Sequence, residues 1–193
     1  MDCLLFRHGI AHNCEDWRGN DQHRPLTDKG RIRTRQSSKG LLALGPLPTH
    51  ILSSPLTRAQ ETAKIVRELM STAPPLRICQ ELNPEVPPRA LIALLNTLPS
   101  DAVVLCVGHE PHLSATAGIL LTGKLCKGLS LKKAGACLLH LEGSVRPAKG
   151  RLDWWLTASQ LRARGGVHVP ASPLILRQAS IRSMSRPIPT HVE

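Results

Sequence analysis

The chain predicts an α/β domain in three layers, with helices on both faces of a mostly parallel central sheet that carries an antiparallel edge strand. Two patterns carry that expectation. Short, densely apolar runs alternate with amphipathic stretches of helical period, the order that builds parallel sheets. The last two apolar runs are instead joined by a short turn, as in a hairpin. Length agrees: 193 residues, 41% of them apolar, supply one domain with a real core and hardly two.

Taken in order, residues 2–6 read as the first strand. Residues 27–44 read as a helix, with Thr27 as N-cap, Lys and Arg on the solvent face, and Gly45-Pro46 as the stop. A second strand, 49–52, leads through Ser53-Ser54-Pro55 into a helix reaching about residue 70, with serine as cap and Pro55 at the first helical position. A short third strand is expected at 76–79 and a helix at 88–98. Residues 102–107 are continuously apolar, as befits a strand covered on both faces, and 111–121 form the next helix. Strands at 136–142 and 151–156 close the pattern around a turn at 143–150. The expected domain spans residues 1–165, and residues 166–193, rich in Pro, Ser and Arg, are expected to form an irregular basic tail.

Composition excludes several classes. The apolar content is mostly Leu, with one Phe and no Tyr, so the core should be aliphatic. No apolar run has the length to cross a bilayer, so no membrane partner is expected, and Asp2 with Arg7-His8 would interrupt any signal core. The six cysteines lack CxxC spacing and several sit in apolar runs, which suits buried free thiols, no metal and a cytoplasmic location. The net charge of +11 invites a nucleic-acid reading. Yet the aromatics needed as stacking platforms are Phe6, Trp17, Trp154 and Trp155 alone, and a fair share of the excess lies beyond residue 145. A solvated basic tail is the expectation, with no nucleic-acid partner.

The chemistry gathers at strand ends. The first strand ends in Arg7-His8-Gly9, the second runs through "ILSSPLTRAQET" to put Arg58 in the first turn of a helix, and the fourth runs through "LCVGHEPHLS" to put His109 just past the sheet. Ligands of doubly wound sheets bind beyond the carboxyl ends of strands, so the three endings are expected to share one pocket. Guanidinium forks and helix starts suit phosphate. A neutral imidazole among them can attack phosphorus and hold the phosphoryl group covalently, and nearby arginines keep it neutral. Gly9 is expected to permit close backbone approach and unusual dihedrals. Positioning and arginine charge suffice for such chemistry, so no cofactor is implied.

"RHG" after an N-terminal strand, "SSPLTRAQET" and "VGHEP" resemble, in the same order over about residues 2–157, the signature of the histidine phosphatase (phosphoglycerate mutase-like) superfamily. "RPLTDKGRIR", the short span from Arg58 to His109 and "LDWWLTASQLR" resemble its small SixA-type phosphohistidine phosphatase branch. The resemblance implies a phosphoglycerate mutase-like fold with His8 as phosphoryl acceptor. It implies a phosphate pocket of Arg7, Arg58 and His109, with Arg24 as a further phosphate-contacting arginine.

The proton donor stays open. Larger members of the superfamily draw an acid from an insertion after the second strand; here "CQELNPEVPPRA" offers Glu81 and Glu85, and the loop before Arg24 offers Asp16 and Asp21. His12, His23 and His112 are expected at the surface or as caps, and Glu110 as a helix-start carboxylate. An alkoxide leaving group needs a good acid, whereas phosphohistidine leaves as an imidazole. The leading expectation is therefore a phosphohistidine phosphatase acting on a phosphorelay or phosphotransfer protein. A general phosphomonoesterase on small phosphorylated metabolites would instead need a usable acid at Glu81 or Glu85. A non-catalytic phosphate-binding adaptor is the third reading.

Overall fold

Alternation along the first strand sets the architecture. In β1 (Asp2–Arg7), Cys3 and Leu5 point to one face and Leu4 and Phe6 to the other, and all four are buried because this strand lies inside the sheet. The computed structural model describes residues 1–165, and the expected tail at 166–193 lies outside the described residues. The remaining elements are α1 (Asp28–Leu44), β2 (His50–Ser53), α2 (Thr57–Glu68), β3 (Leu76–Ile78), α3 (Pro88–Leu95), β4 (Val103–Gly108), α4 (His112–Thr122), β5 (Ala136–Leu141), β6 (Gly150–Leu156) and α5 (Ala158–Arg164).

The six strands are ordered β3-β2-β4-β1-β5-β6. From β3 to β1 every pairing is parallel, and the β5–β6 hairpin adds the antiparallel part at one edge. Leu41 of α1, Ala59, Ala63 and Val66 of α2, and Leu161 of α5 pack with Leu4, Phe6, Ile51 and Leu105 on one face. Leu91, Ile92 and Leu95 of α3 and Leu113, Ala117 and Leu120 of α4 pack with Leu5, Leu52, Val104 and Cys106 on the other. The three-layer α/β expectation holds. No helix among the described residues is long and apolar enough to cross a membrane.

Most boundaries follow their local signals. Thr27 caps α1, its Oγ1 accepting from the Gly30 N–H at 2.9 Å, and Thr157 with Gln160 forms a capping box on α5. Two expectations are corrected. Helix α2 starts at Thr57 with Leu56 as an N-cap that makes no side-chain bond, so Pro55 precedes the helix and serine does not cap it. Helix α3 ends at Leu95, and its C-cap Asn96 clamps the hairpin turn with its side chain, donating its amide to the Val145 carbonyl and accepting the Val145 N–H, both at 2.8 Å.

Candidate functional site

Parallel pairing of β1 with β4 decides the centre of the site. Arg7 pairs with Gly108, and the His8 N–H donates to the Gly108 carbonyl at 3.0 Å, so His8 and His109 leave neighbouring strands at the same level. Their ring centroids lie 4.9 Å apart. Strand β2 pairs Ser53 with Val107, which brings Ser54 and the start of α2, with Arg58, to the same end of the sheet.

His8 is 6% exposed, and its Nδ1 lies 2.7 Å from the Gly9 carbonyl. A carbonyl only accepts, so Nδ1 carries the ring proton and Nε2 keeps a free lone pair. Burial pushes the His8 pKa down to about 3, the charges of Arg58, Arg7 and Lys133 reinforcing the shift and the Gly9 carbonyl opposing it. His109 is lowered to about 2, again first by burial and then by His8 and Arg58. Its Nε2 lies 2.8 Å from Ser54 Oγ, which also accepts the Leu56 N–H at 3.3 Å. Gly9 is needed for space rather than for unusual dihedrals, a correction to the expectation: it has no positive φ, but a Cβ there would stand 2.0 Å from Thr34 Oγ1.

The arginines are held by their outer nitrogens. Arg7 Nη1 donates to the Leu131 carbonyl at 2.7 Å. Arg58 Nη1 and Nη2 reach the carbonyl and carboxylate of Asp21, each at 3.0 Å. In both, the buried Nε–H has no partner within the described residues. Orphaned buried donors are rare, and two of them on arginines that line the same cavity as His8 suit an anion. Arg24 Nε bonds the same Asp21 carboxylate at 2.7 Å, so Asp21 ties the two arginines together. Burial would raise the Asp21 pKa, but the Arg24 hydrogen bond and the Arg58 and Arg24 charges outweigh it, leaving the carboxyl below its usual range and ionised. That state is wrong for a proton donor.

Arg7, His8, Arg24, Arg58 and His109 all line one cavity of about 510 Å³. Glu81 and Glu85 do not. Glu81 sits in a 3-10 turn (Gln80–Leu82), and Glu85 lines a neighbouring cavity of about 350 Å³ that shares Pro84 with the first. The acids that line the His8 cavity are Glu15 and Glu110, neither of them expected as a donor. Both Glu110 oxygens are engaged, Oε1 by the Leu131 N–H at 3.2 Å and Oε2 by the Ser114 hydroxyl. Lys133 and Ser54 are further site residues that the sequence reading missed. Lys133 stands in a loop far along the chain from His8, and Ser54 looked like a helix cap. His112, expected at the surface or as a cap, is 2% exposed with both ring nitrogens unpartnered. Among the described residues no three His, Cys, Asp or Glu side chains gather to hold a metal ion.

Comparison with known proteins bears on the family. A model of the histidine phosphatase superfamily (branch 1) matches residues 3–83. An uncharacterized protein of Picosynechococcus sp. is 38% identical over 137 residues, covering 70% of this chain and 82% of its own. Among solved structures, the protein histidine phosphatase SixA complexed with tungstate superposes with a TM-score of 0.71 at 23% identity, over 83% of this chain and 99% of that one. A mycobacterial glucosyl-3-phosphoglycerate phosphatase with bound VO3 superposes with a TM-score of 0.63 at 19% identity, over 81% and 99%. The fold is thus shared by phosphatases of differing substrates, and the strand ends that carry His8 and Arg58 lie within residues 3–83, the span the family model matches. The chain belongs to the histidine phosphatase superfamily.

Proposed function

We propose that this protein hydrolyses phosphohistidine on another protein, through a phosphoryl group held transiently on His8. The superfamily is one of phosphatases, and the fold alone accommodates both protein and small-metabolite substrates. The observation that carries the finer reading is the state of the acids. Asp21 is ionised between two arginines, Glu110 is spent on Ser114 and Leu131, and Glu81 and Glu85 do not line the cavity. A site poor in free acid suits a leaving group that needs little help, and an imidazole is such a group where an alkoxide is not.

In the proposed reaction, the His8 Nε2 lone pair attacks phosphorus as the substrate's P–N bond breaks. The electron pair of that bond stays on the substrate imidazole, which takes a proton from water. Arg7, Arg58, Arg24 and His109 hold the equatorial oxygens while charge redistributes. A water then attacks phosphorus, the P–Nε2 bond breaks, and phosphate leaves with His8 neutral again. The free cysteines fit a reducing compartment, and we place this activity in the cytoplasm, on a phosphorelay or phosphotransfer protein.

A second reading rests on Glu15, an exposed carboxyl on the cavity wall that could serve a phosphomonoesterase as donor. Phosphate release from a phosphohistidine-bearing carrier protein and from sugar phosphates separates the two. The first reading expects the carrier to be preferred, Glu15→Gln to retain turnover, and His8→Ala to lose both turnover and alkali-stable label on the enzyme. Preference for a sugar phosphate by orders of magnitude, with turnover abolished in Glu15→Gln, would replace it by the second.

A further inference from the structure

A second cavity, of about 540 Å³, adjoins the first and shares Arg7 and Lys133 with it. Its lining carries Arg7, Arg33, Lys132, Lys133 and Arg162, and no carboxylate. Neighbouring arginines on α1 are neutralised across the α1–α2 face: Arg31 pairs with Glu61 at 2.7 Å and Arg35 with Glu68 at 3.1 Å. Arg33, Lys132, Lys133 and Arg162 make no ion pair among the described residues. Residues 166–193 carry Arg177, Arg182 and Arg186 against a single acid, Glu193. The loop that carries the lysines is pinned to the active strand. The Ala134 N–H reaches the carbonyls of Arg7 and His8, both at 3.1 Å, and the Arg7 N–H reaches the Gly135 carbonyl at 3.0 Å.

We propose that this groove is a docking surface for an acidic segment of the protein substrate, seated beside the phosphohistidine that enters the His8 cavity; the idea rests on the phosphohistidine reading above. Two features favour a protein over a small ligand. Arg33, Lys132 and Lys133 are exposed, long and flexible, which suits steering and holding carboxylates on a broad surface rather than enclosing a compact anion. A protein that delivers a side chain to His8 must also cover the ground next to the cavity, and the groove is continuous with it through Arg7 and Lys133.

The test compares wild type with the triple variant Arg33→Ala, Lys132→Ala, Arg162→Ala, which leaves Arg7 and Lys133 in place. A control removes Arg89, Lys124 and Arg146, exposed cations that do not line the groove. Binding of a fluorescein-labelled Asp/Glu-rich peptide is read by anisotropy. Docking predicts roughly tenfold weaker binding in the groove variant at low salt, from three surface charge contacts of ordinary strength, a difference that shrinks as salt is added. The control variant should bind like wild type. An equal loss in the control, or no loss in the groove variant, overturns the proposal. So does tighter binding of an alkyl bisphosphate or a single-stranded oligonucleotide than of the peptide, since either would give the groove a different occupant. A kinetic arm measures kcat/KM on the phosphohistidine carrier and on a small aryl phosphate. The groove variant should lose turnover of the carrier, mainly through KM, and keep turnover of the aryl phosphate. Failure of wild type on the carrier would sink the phosphohistidine reading alone, because the peptide arm still decides the groove.

Discussion

Acidification should destabilise this protein through the two buried histidines of the candidate site before any carboxylate contributes. His8 and His109 are 6% and 3% exposed, and their folded pKa values stand at about 3 and about 2 against an ordinary 6.5. Between those limits the unfolded chain binds protons that the folded chain does not, so stability rises with pH through the window and falls as pH drops below 6.5. Each such group costs up to ~1.4 kcal/mol per pH unit, so going from about pH 7.5 to about pH 5.5 removes ~1.3 kcal/mol per histidine, or ~2.6 kcal/mol for the pair. That is a large share of a typical stability of about 5–15 kcal/mol. Burial lowers His112 as well, which adds in the same direction. The depressed Asp21 carboxyl contributes above its ordinary value of 3.8 and is lost only below it, outside the assayed interval of about pH 5.5 to about pH 7.5. Urea unfolding at the two pH values reads the effect. The His8→Asn, His109→Asn double variant keeps polar side chains of related shape but does not titrate there, so its loss should be smaller by ~2.6 kcal/mol. Parallel stability curves for variant and wild type would refute the reasoning, because the buried neutral histidines would then carry no linkage.

Two further outcomes are expected. Gly40→Ala places a Cβ 1.8 Å from the Leu161 carbonyl oxygen, so α1 and α5 must part; a loss of ~1–3 kcal/mol in urea unfolding is expected, and wild-type stability would contradict the close approach. Asp21→Ala releases both Arg24 and Arg58, and the KM of the phosphorylated substrate should rise by roughly threefold to tenfold. An unchanged KM would show that Asp21 does not hold those arginines in their working positions.

Strand β4 and the α1 N-cap were legible because their causes are local. A continuous apolar run demands cover on both faces, and a threonine placed three residues before Gly30 caps that N–H whatever surrounds it. The convergence of Arg7, Arg58 and His109 was legible too, since parallel strands end at the same edge of a sheet. The start of α2 was not. Ser54 had two possible employments, and the one realised, at His109, lies 55 residues away.

By itself, then, the sequence determined the layered fold and the strand ends at which Arg7, His8 and His109 stand, because each follows from backbone periodicity and from neighbours in the chain. Tertiary structure alone decided which acids are free. Asp21 is drawn between two arginines, Glu110 is taken by a backbone N–H 21 residues further on, and Glu81 and Glu85 do not line the His8 cavity. It also set Lys132 and Lys133 beside Arg33 and Arg162. Charges act through space, and the distances between them are fixed only once the chain has packed.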